Sequence, residues 1–307
     1  MIGKQTQKTQ QTLQSKGSVI QLHDGREIGC FEAGDPKGEP VFYFHGCPGS
    51  RLEVLLTEPI SRDLHLRFIG LDRPGYGKST NLPGRRLMDW PRDVQEVAEN
   101  LGLDTFHLLG ISGGGPFALA CAHAIPERLR TVSLVGSIAP SERTTLRKVW
   151  LPIRTFMMTA RGCPKGSDAL LAVLSRIVRC HPRAAIALMS WVTPAPANKA
   201  VLTDPEIRTV LAASLGESIR QGAQGIATDL CLYVQEWGFD LQDIRIPVII
   251  WQGRRDVTVP EEMGRQLQRT IPKSSAYFLP EEGHFSVPLA RMDRILSRIV
   301  QNESLGD

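Results

Sequence analysis

Thr105-Phe106-His107-Leu108-Leu109-Gly110-Ile111-Ser112-Gly113-Gly114-Gly115-Pro116-Phe117 is the stretch on which the fold turns. The apolar run Thr105 to Leu109 reads as a buried strand and the segment from Gly113 to about Ala124 as a helix. Gly110 to Gly114 is therefore a G-x-S-x-G sequence in a strand-turn-helix setting. The setting matters more than the pattern. A serine thrust out of so sharp a turn leaves no space for side chains two residues before or after it, and Gly110 and Gly114 meet that demand. Ser112 is thus a candidate nucleophile. The plainer reading is a glycine-rich turn that opens a helix, with an anion site at the helix N-terminus.

Outward from this turn the chain alternates short apolar strands with helices. Toward the N-terminus lie strands Val41 to Phe44 and Arg67 to Leu71 and a helix from about Pro91 to Leu101. Before them Ser18 to Leu22 and Glu27 to Phe31 flank His23-Asp24-Gly25-Arg26, a hairpin signal. Toward the C-terminus Thr131 to Val135 is the next strand, and then the rhythm breaks. From Pro140 to about Phe239 only helical pieces are readable: Arg143 to Arg154, Ser167 to Arg179, Ala184 to Trp191, Asp204 to Leu215 and Glu217 to Val234. Alternation resumes with strand Pro247 to Gln252, helix Glu261 to Arg269, strand Ser275 to Phe278 and a closing helix from Val287 to Gln301. The pattern predicts an α/β fold with a mostly parallel eight-stranded sheet and flanking helices. Residues 1–17 are expected to be a flexible polar tail, 18–139 and 240–307 the core domain, and 140–239 an inserted helical subdomain.

A serine hydroxyl needs a base within hydrogen-bond reach, itself held in the right tautomer by a third group. Of the seven histidines, His284 stands in Glu281-Glu282-Gly283-His284-Phe285, just past the C-terminal end of a predicted strand, where open parallel sheets bind ligands. His23, His65, His107, His123 and His181 lie in turn, strand or helix contexts without a partner pattern. Gly253-Arg254-Arg255-Asp256-Val257-Thr258-Val259-Pro260 follows the strand Pro247 to Gln252 in the same way. Glu281 and Glu282 are too near His284 along the chain, and Asp240 and Asp243 precede the strand. The candidate catalytic residues are therefore Ser112, Asp256 and His284, in one of the three chain orders known for serine triads.

Two further motifs extend the pattern. His45-Gly46-Cys47-Pro48-Gly49-Ser50 follows the third strand in the form HGxPG, and Asp72-Arg73-Pro74-Gly75-Tyr76-Gly77-Lys78-Ser79 has the form D-x-x-G-x-G-x-S. With these the chain resembles the serine hydrolases of the α/β-hydrolase superfamily over about residues 18 to 302. The resemblance implies that the helical insertion is a cap over the active site. It also implies an oxyanion hole made of the Cys47 and Gly113 backbone N–H groups. On that match only the Cys47 main chain takes part, and His45 and Asp72 shape loops. Serine at position 112 excludes relatives that open epoxides or displace halide with a carboxylate. The expected reaction is hydrolysis of a carboxylic ester through an acyl-enzyme on Ser112.

Composition bounds the partners. The chain has 307 residues, 42% of them hydrophobic, with a net charge of +4, which suits a sizeable core and makes no case for nucleic acid. No apolar run approaches the roughly 20 residues of a membrane helix, and the N-terminus has no signal-peptide h-region. The six cysteines are scattered without CxxC pairs, so no metal or other cofactor is expected and a reduced, cytoplasmic protein is. The expected partner is a small-molecule acyl substrate, anionic or apolar. Between Ser141 and Ala200 ten Lys or Arg face two acids. That excess is either an ordinary solvated face, with Arg176, Arg179 and Arg183 opposite Leu170, Leu174 and Ile177, or a steering field for anions or acidic lipid. Trp150, Phe156, Met157, Met158, Met189 and Trp191 are candidates for an acyl pocket or for cap core.

The same triad serves lipases, lactonases, C–C bond hydrolases, proline-type aminopeptidases, acyltransferases and perhydrolases, and fold does not choose among them. An aminopeptidase needs an acidic site for the substrate amine, which the basic insertion does not encourage. A ligand sensor of the same fold, with little or no turnover, is the alternative from a different class.

Overall fold

The computed structural model describes residues 17–140, 175–178, 180–192 and 195–301. Its centre is a sheet of eight strands: β1 (Ser18–Gln21), β2 (Glu27–Gly34), β3 (Glu39–Phe44), β4 (Leu66–Leu71), β5 (Phe106–Ile111), β6 (Leu129–Val135), β7 (Val248–Gly253) and β8 (Ser274–Leu279). Their order is β1-β2-β4-β3-β5-β6-β7-β8. The first two strands form the expected hairpin, in which Gly25 takes φ +84°. β2 runs antiparallel to β4, and every later pairing is parallel.

The order explains where a site can form. The chain leaves β3 for β4 on one side and returns past β3 to β5 on the other, so the β3 and β5 connections diverge and open a crevice at their C-terminal ends. Alternation along the strands serves two cores. In β3, Phe42 and Phe44 enter one core with Phe106, Leu108, Trp90 and Phe117. Val41 and Tyr43 enter the other, with Leu109, Trp251, Ile295 and Ile299. Because both faces are covered, the central strands β3, β5 and β7 are buried along most of their length.

The helices outside the β6–β7 interval are α1 (Glu58–Asp63), α2 (Trp90–Asn100) and α3 (Gly115–Ala124) before it, and α8 (Glu261–Thr270), α9 (Ser286–Ala290) and α10 (Met292–Gln301) after it. Between β6 and β7 the regular elements among the described residues are helical: α4 (Pro182–Val192), α5 (Pro196–Thr203), α6 (Pro205–Ser218) and α7 (Gln224–Val234), with one short 3-10 turn before β7. Asp204 caps α6 by accepting from Glu206 N and Ile207 N, with Pro205 next to it, the arrangement a Pro at the first helical position favours. Among the described residues no helix is long and apolar enough to cross a membrane.

Several sequence expectations are corrected. The single helix expected over Glu217 to Val234 is two, because the chain turns at Gly222 with φ +105°, a region open to glycine. The closing helix divides at Arg291, which leaves helical geometry at φ −124° and ψ 16°. α1 and α5, of six and eight residues, are too short to show a repeating apolar face. Ile177 is 57% exposed and does not oppose the arginines as an inward face would; Val178 packs inward instead. Arg176 and Arg183 are exposed. Arg143, Arg147, Lys148, Arg154, Arg161, Lys165 and Arg179 lie outside the described residues, as do Trp150, Phe156, Met157, Met158 and the side chain of Trp191. Met189 packs beside Ile186, Leu202 and Leu215.

Phe106 is fully buried, with its ring perpendicular to that of Phe42 at 4.7 Å. Phe106→Ala is expected to cost about 3–5 kcal/mol. In urea unfolding this should appear as a lower midpoint with an unchanged slope.

Candidate active site

Ser112 opens the one-turn 3-10 helix Ser112–Gly114 that carries β5 into α3. Its φ is +53°, a left-handed backbone that costs a non-glycine residue about 1–3 kcal/mol and persists only where the surroundings impose it. They do so by closeness. A Cβ on Gly110 would lie 3.0 Å from Gly115 Cα, and one on Gly114 only 2.1 Å from the Phe44 carbonyl oxygen. The two glycines singled out by the spacing are thus sterically required.

Asp256 and His284 lie past the ends of β7 and β8 and meet directly, with His284 Nδ1 2.7 Å from Asp256 Oδ2. The other carboxylate oxygen accepts from Thr258 N and Val259 N, both at 2.8 Å. This fixes the carboxylate, places the imidazole proton on Nδ1 and leaves Nε2 with its lone pair free to take a proton. The His284 loop is itself held. Phe285 N and Ser286 N donate to Asn198 Oδ1 of α5 at 3.0 and 2.9 Å, and Gly283 N donates to Ser286 Oγ.

Residues 136–138, after β6, run between this pair and Ser112. Ile138 N donates to the Ser112 carbonyl. Gly136, at φ +53°, comes so close that a Cβ there would sit 3.4 Å from both His284 Nδ1 and Asp256 Oδ2. The three candidate triad residues therefore occupy neighbouring strand ends on one edge of the sheet.

The loop after β3 forms the facing wall. A Cβ on Gly46 would lie 3.7 Å from Ser112 Cβ, and one on Gly113 3.0 Å from Cys47 Cβ, so the candidate oxyanion donors flank the serine. The Gly113 N–H belongs to the first turn of a helix, where amides lack internal partners. The Cys47 thiol is pushed up to about 12, first by burial and then by Asp229, and is a poor nucleophile in that state. Asp72 is buried and accepts from Arg51 N and Lys78 N, a loop-shaping role. Among the described residues no group of three or more His, Cys, Asp or Glu is placed to hold a metal ion.

Behind the loop lies a cluster that sequence reasoning missed. The fully buried Arg73 guanidinium donates to the His45 and Gly46 carbonyls and pairs with Asp229 of α7 at 2.8 Å. Asp229 also accepts from Arg85, from Tyr76 OH at 2.8 Å and from Tyr233 OH at 3.3 Å. Burial alone would push its carboxyl up, yet Arg73, Arg85 and Tyr76 hold it below the usual carboxylate range. Arg73 Cζ further lies 4.7 Å from the Phe117 ring centroid, within cation–π range. A signal did exist: Arg73 stands inside the D-x-x-G-x-G-x-S match, and Asp229 is the lone charge in Gln224 to Val234.

Comparison with known proteins gives the same fold. The family described as alpha/beta hydrolase fold matches residues 39–160. A probable proline iminopeptidase of Leptolyngbya boryana is 24% identical over 82% of this chain and 83% of its own. A proline iminopeptidase of Xylella fastidiosa is 25% identical over 91% and 93%. Among solved structures, an esterase from Exiguobacterium antarcticum superposes with a TM-score of 0.68 at 19% identity, covering 94% of this chain and all of that one.

Asp256→Asn should leave the fold intact, since Oδ1 still accepts from Thr258 N and Val259 N. Turnover of any acyl substrate should fall about 10⁴-fold, as the wrong histidine tautomer becomes favoured. Steady-state kcat beside an unchanged circular-dichroism melt checks this.

Proposed function

The chain has the α/β-hydrolase fold, and from that premise we propose that it is a serine hydrolase acting on carboxylic esters. The observation that carries the reading is the strained Ser112 backbone at φ +53°, set in a turn of glycines beside an Asp256–His284 pair. A purely structural turn has no need to hold a serine in that conformation.

In the proposed cycle Ser112 Oγ attacks the ester carbonyl carbon while His284 Nε2 takes the hydroxyl proton. The carbonyl oxygen becomes an oxyanion facing the Cys47 and Gly113 N–H groups, and the imidazolium is stabilised by Asp256. Collapse breaks the bond to the leaving alcohol, which receives the proton from His284. Water then attacks the acyl-enzyme with His284 again as base, releasing a carboxylate and free Ser112. The helices between β6 and β7 would form the cap of the domain scheme, core 18–139 and 240–307 with insertion 140–239.

Aminopeptidase action is the second reading, prompted by the names of the two sequence relatives. A substrate amine needs a free carboxylate near the site. Among the described residues, Asp229 is engaged by Arg73 and Arg85, and Glu217 by Arg51 and Arg220, so neither offers one. This favours an ester.

A fluorophosphonate probe should label the wild type and not Ser112→Ala. p-Nitrophenyl esters should be cleaved with a kcat/KM at least about a hundredfold above prolyl p-nitroanilide, the gap expected when an ammonium finds no partner in a buried site. Ser112-independent labelling would sink the serine mechanism, and a reversed ratio would establish the aminopeptidase instead.

A further inference from the structure

The amide that carries the Cys47 N–H has its carbonyl on Gly46, and that carbonyl is bound from two sides. His45 Nδ1 lies 2.7 Å from it and Arg73 Nη2 2.9 Å. The imidazole is the donor in the first contact, because its other nitrogen faces the Arg73 backbone N–H at 3.4 Å and must accept. Burial and the Arg73 charge push His45 far below the usual histidine range, which keeps this neutral tautomer in place. The preceding amide is clamped at both ends: the His45 carbonyl accepts from Arg73 Nη1, and Gly46 N–H donates to the buried Glu53 carboxylate. Among the described residues the Cys47 N–H has no partner in the protein. The loop thus holds the His45 and Gly46 carbonyls and leaves this donor open.

We propose that Arg73 is a positioning residue for the oxyanion hole: by donating to the Gly46 carbonyl it orients and polarises the Gly46–Cys47 amide, so that the Cys47 N–H binds a developing oxyanion more strongly. Hydrogen bonds in a chain reinforce one another, and a charged donor on the carbonyl draws electron density away from the N–H at the far end. The setting preserves the effect. Arg73 is fully buried, so solvent does not screen it. Its counter-ion Asp229 is shared with Arg85. Arg85 reaches Asp229 and the Gly225 carbonyl, which makes it the matched control. The inference rests on the serine-hydrolase reading with Cys47 N–H as an oxyanion donor.

The test compares wild type, Arg73→Lys and Arg85→Lys, all at equal charge. A single ammonium cannot donate to both the His45 and Gly46 carbonyls while holding Asp229. Outright loss of an oxyanion donor costs about 10²–10³ in rate, so Arg73→Lys should slow fluorophosphonate labelling of Ser112 by at least about tenfold, and Arg85→Lys by less than about twofold. Equal rates for wild type and Arg73→Lys, or equal slowing by both variants, overturn the proposal. An NMR measurement stands apart from catalysis and from the folding of any variant. Glycine labelled with ¹³C at the carbonyl, with ¹⁵N-cysteine, reports only the Gly29–Cys30, Gly46–Cys47 and Gly162–Cys163 amides. The wild-type Gly46 carbonyl should resonate at the low-field end of the glycine range and move upfield in Arg73→Lys alone. A mid-range wild-type shift refutes polarisation. Absence of wild-type labelling with a low-field Gly46 carbonyl would instead bring down the serine-hydrolase reading.

Discussion

Between β5 and α3 the main chain passes so close to its neighbours that a Cβ at Gly114 would lie 2.1 Å from the Phe44 carbonyl and one at Gly115 1.8 Å from the Ser137 hydroxyl. The rest of the site is arranged around that contact. It forces Ser112 into a left-handed backbone and its hydroxyl out of the turn. It also brings the β3 loop to one side of the serine and residues 136–138 to the other. Those residues in turn pass within van der Waals distance of the Asp256–His284 pair. One crowded crossing of backbone segments therefore sets the relative positions of Ser112, the loop after β3 and the Asp256–His284 pair.

The helices between β6 and β7 are joined to this crossing by buried or part-buried polar contacts. Asn198 of α5 accepts two amides of the His284 loop. Ser214 of α6 accepts from Ser50 N and donates to Glu53, whose other oxygen accepts from Tyr43. Gln221 donates to the Gly77 and Ser79 carbonyls, and Asp229 of α7 meets Arg73. Apolar packing alone would allow these helices to slide on the core, since burial is non-directional. Directional bonds to each loop tie them to one register.

Local chemistry made much of this legible in the sequence. The short apolar strand runs, the hairpin Asp-Gly and the glycines at 110 and 114 each express a constraint acting within a few residues, and eight strands emerge near the expected positions. Asp256 and His284 were readable because strand ends in a parallel sheet gather on one edge. Arg73, Asp229 and Asn198 were not, because their partners lie 156 residues away for Arg73–Asp229 and 87 for Asn198–Phe285, and no periodicity encodes such a pairing. Within Glu217 to Val234 the helical propensity is continuous on both sides of Gly222, so a break set by backbone conformation at one glycine was read through.

The Arg73–Asp229 pair bears on how this protein can change. Removing one partner of a buried ion pair costs about 3–5 kcal/mol, a large share of the 5–15 kcal/mol that holds a typical domain together. A core with a foreign helical segment packed in place of α7 would keep Arg73 and Arg85 without the carboxylate that now pairs with both. α7 is for that reason tied to the core by charge as well as by packing, and a segment exchanged for it has to supply a carboxylate where Asp229 stands. Changes elsewhere in these helices that keep Asp229 where it is leave that balance of charge intact.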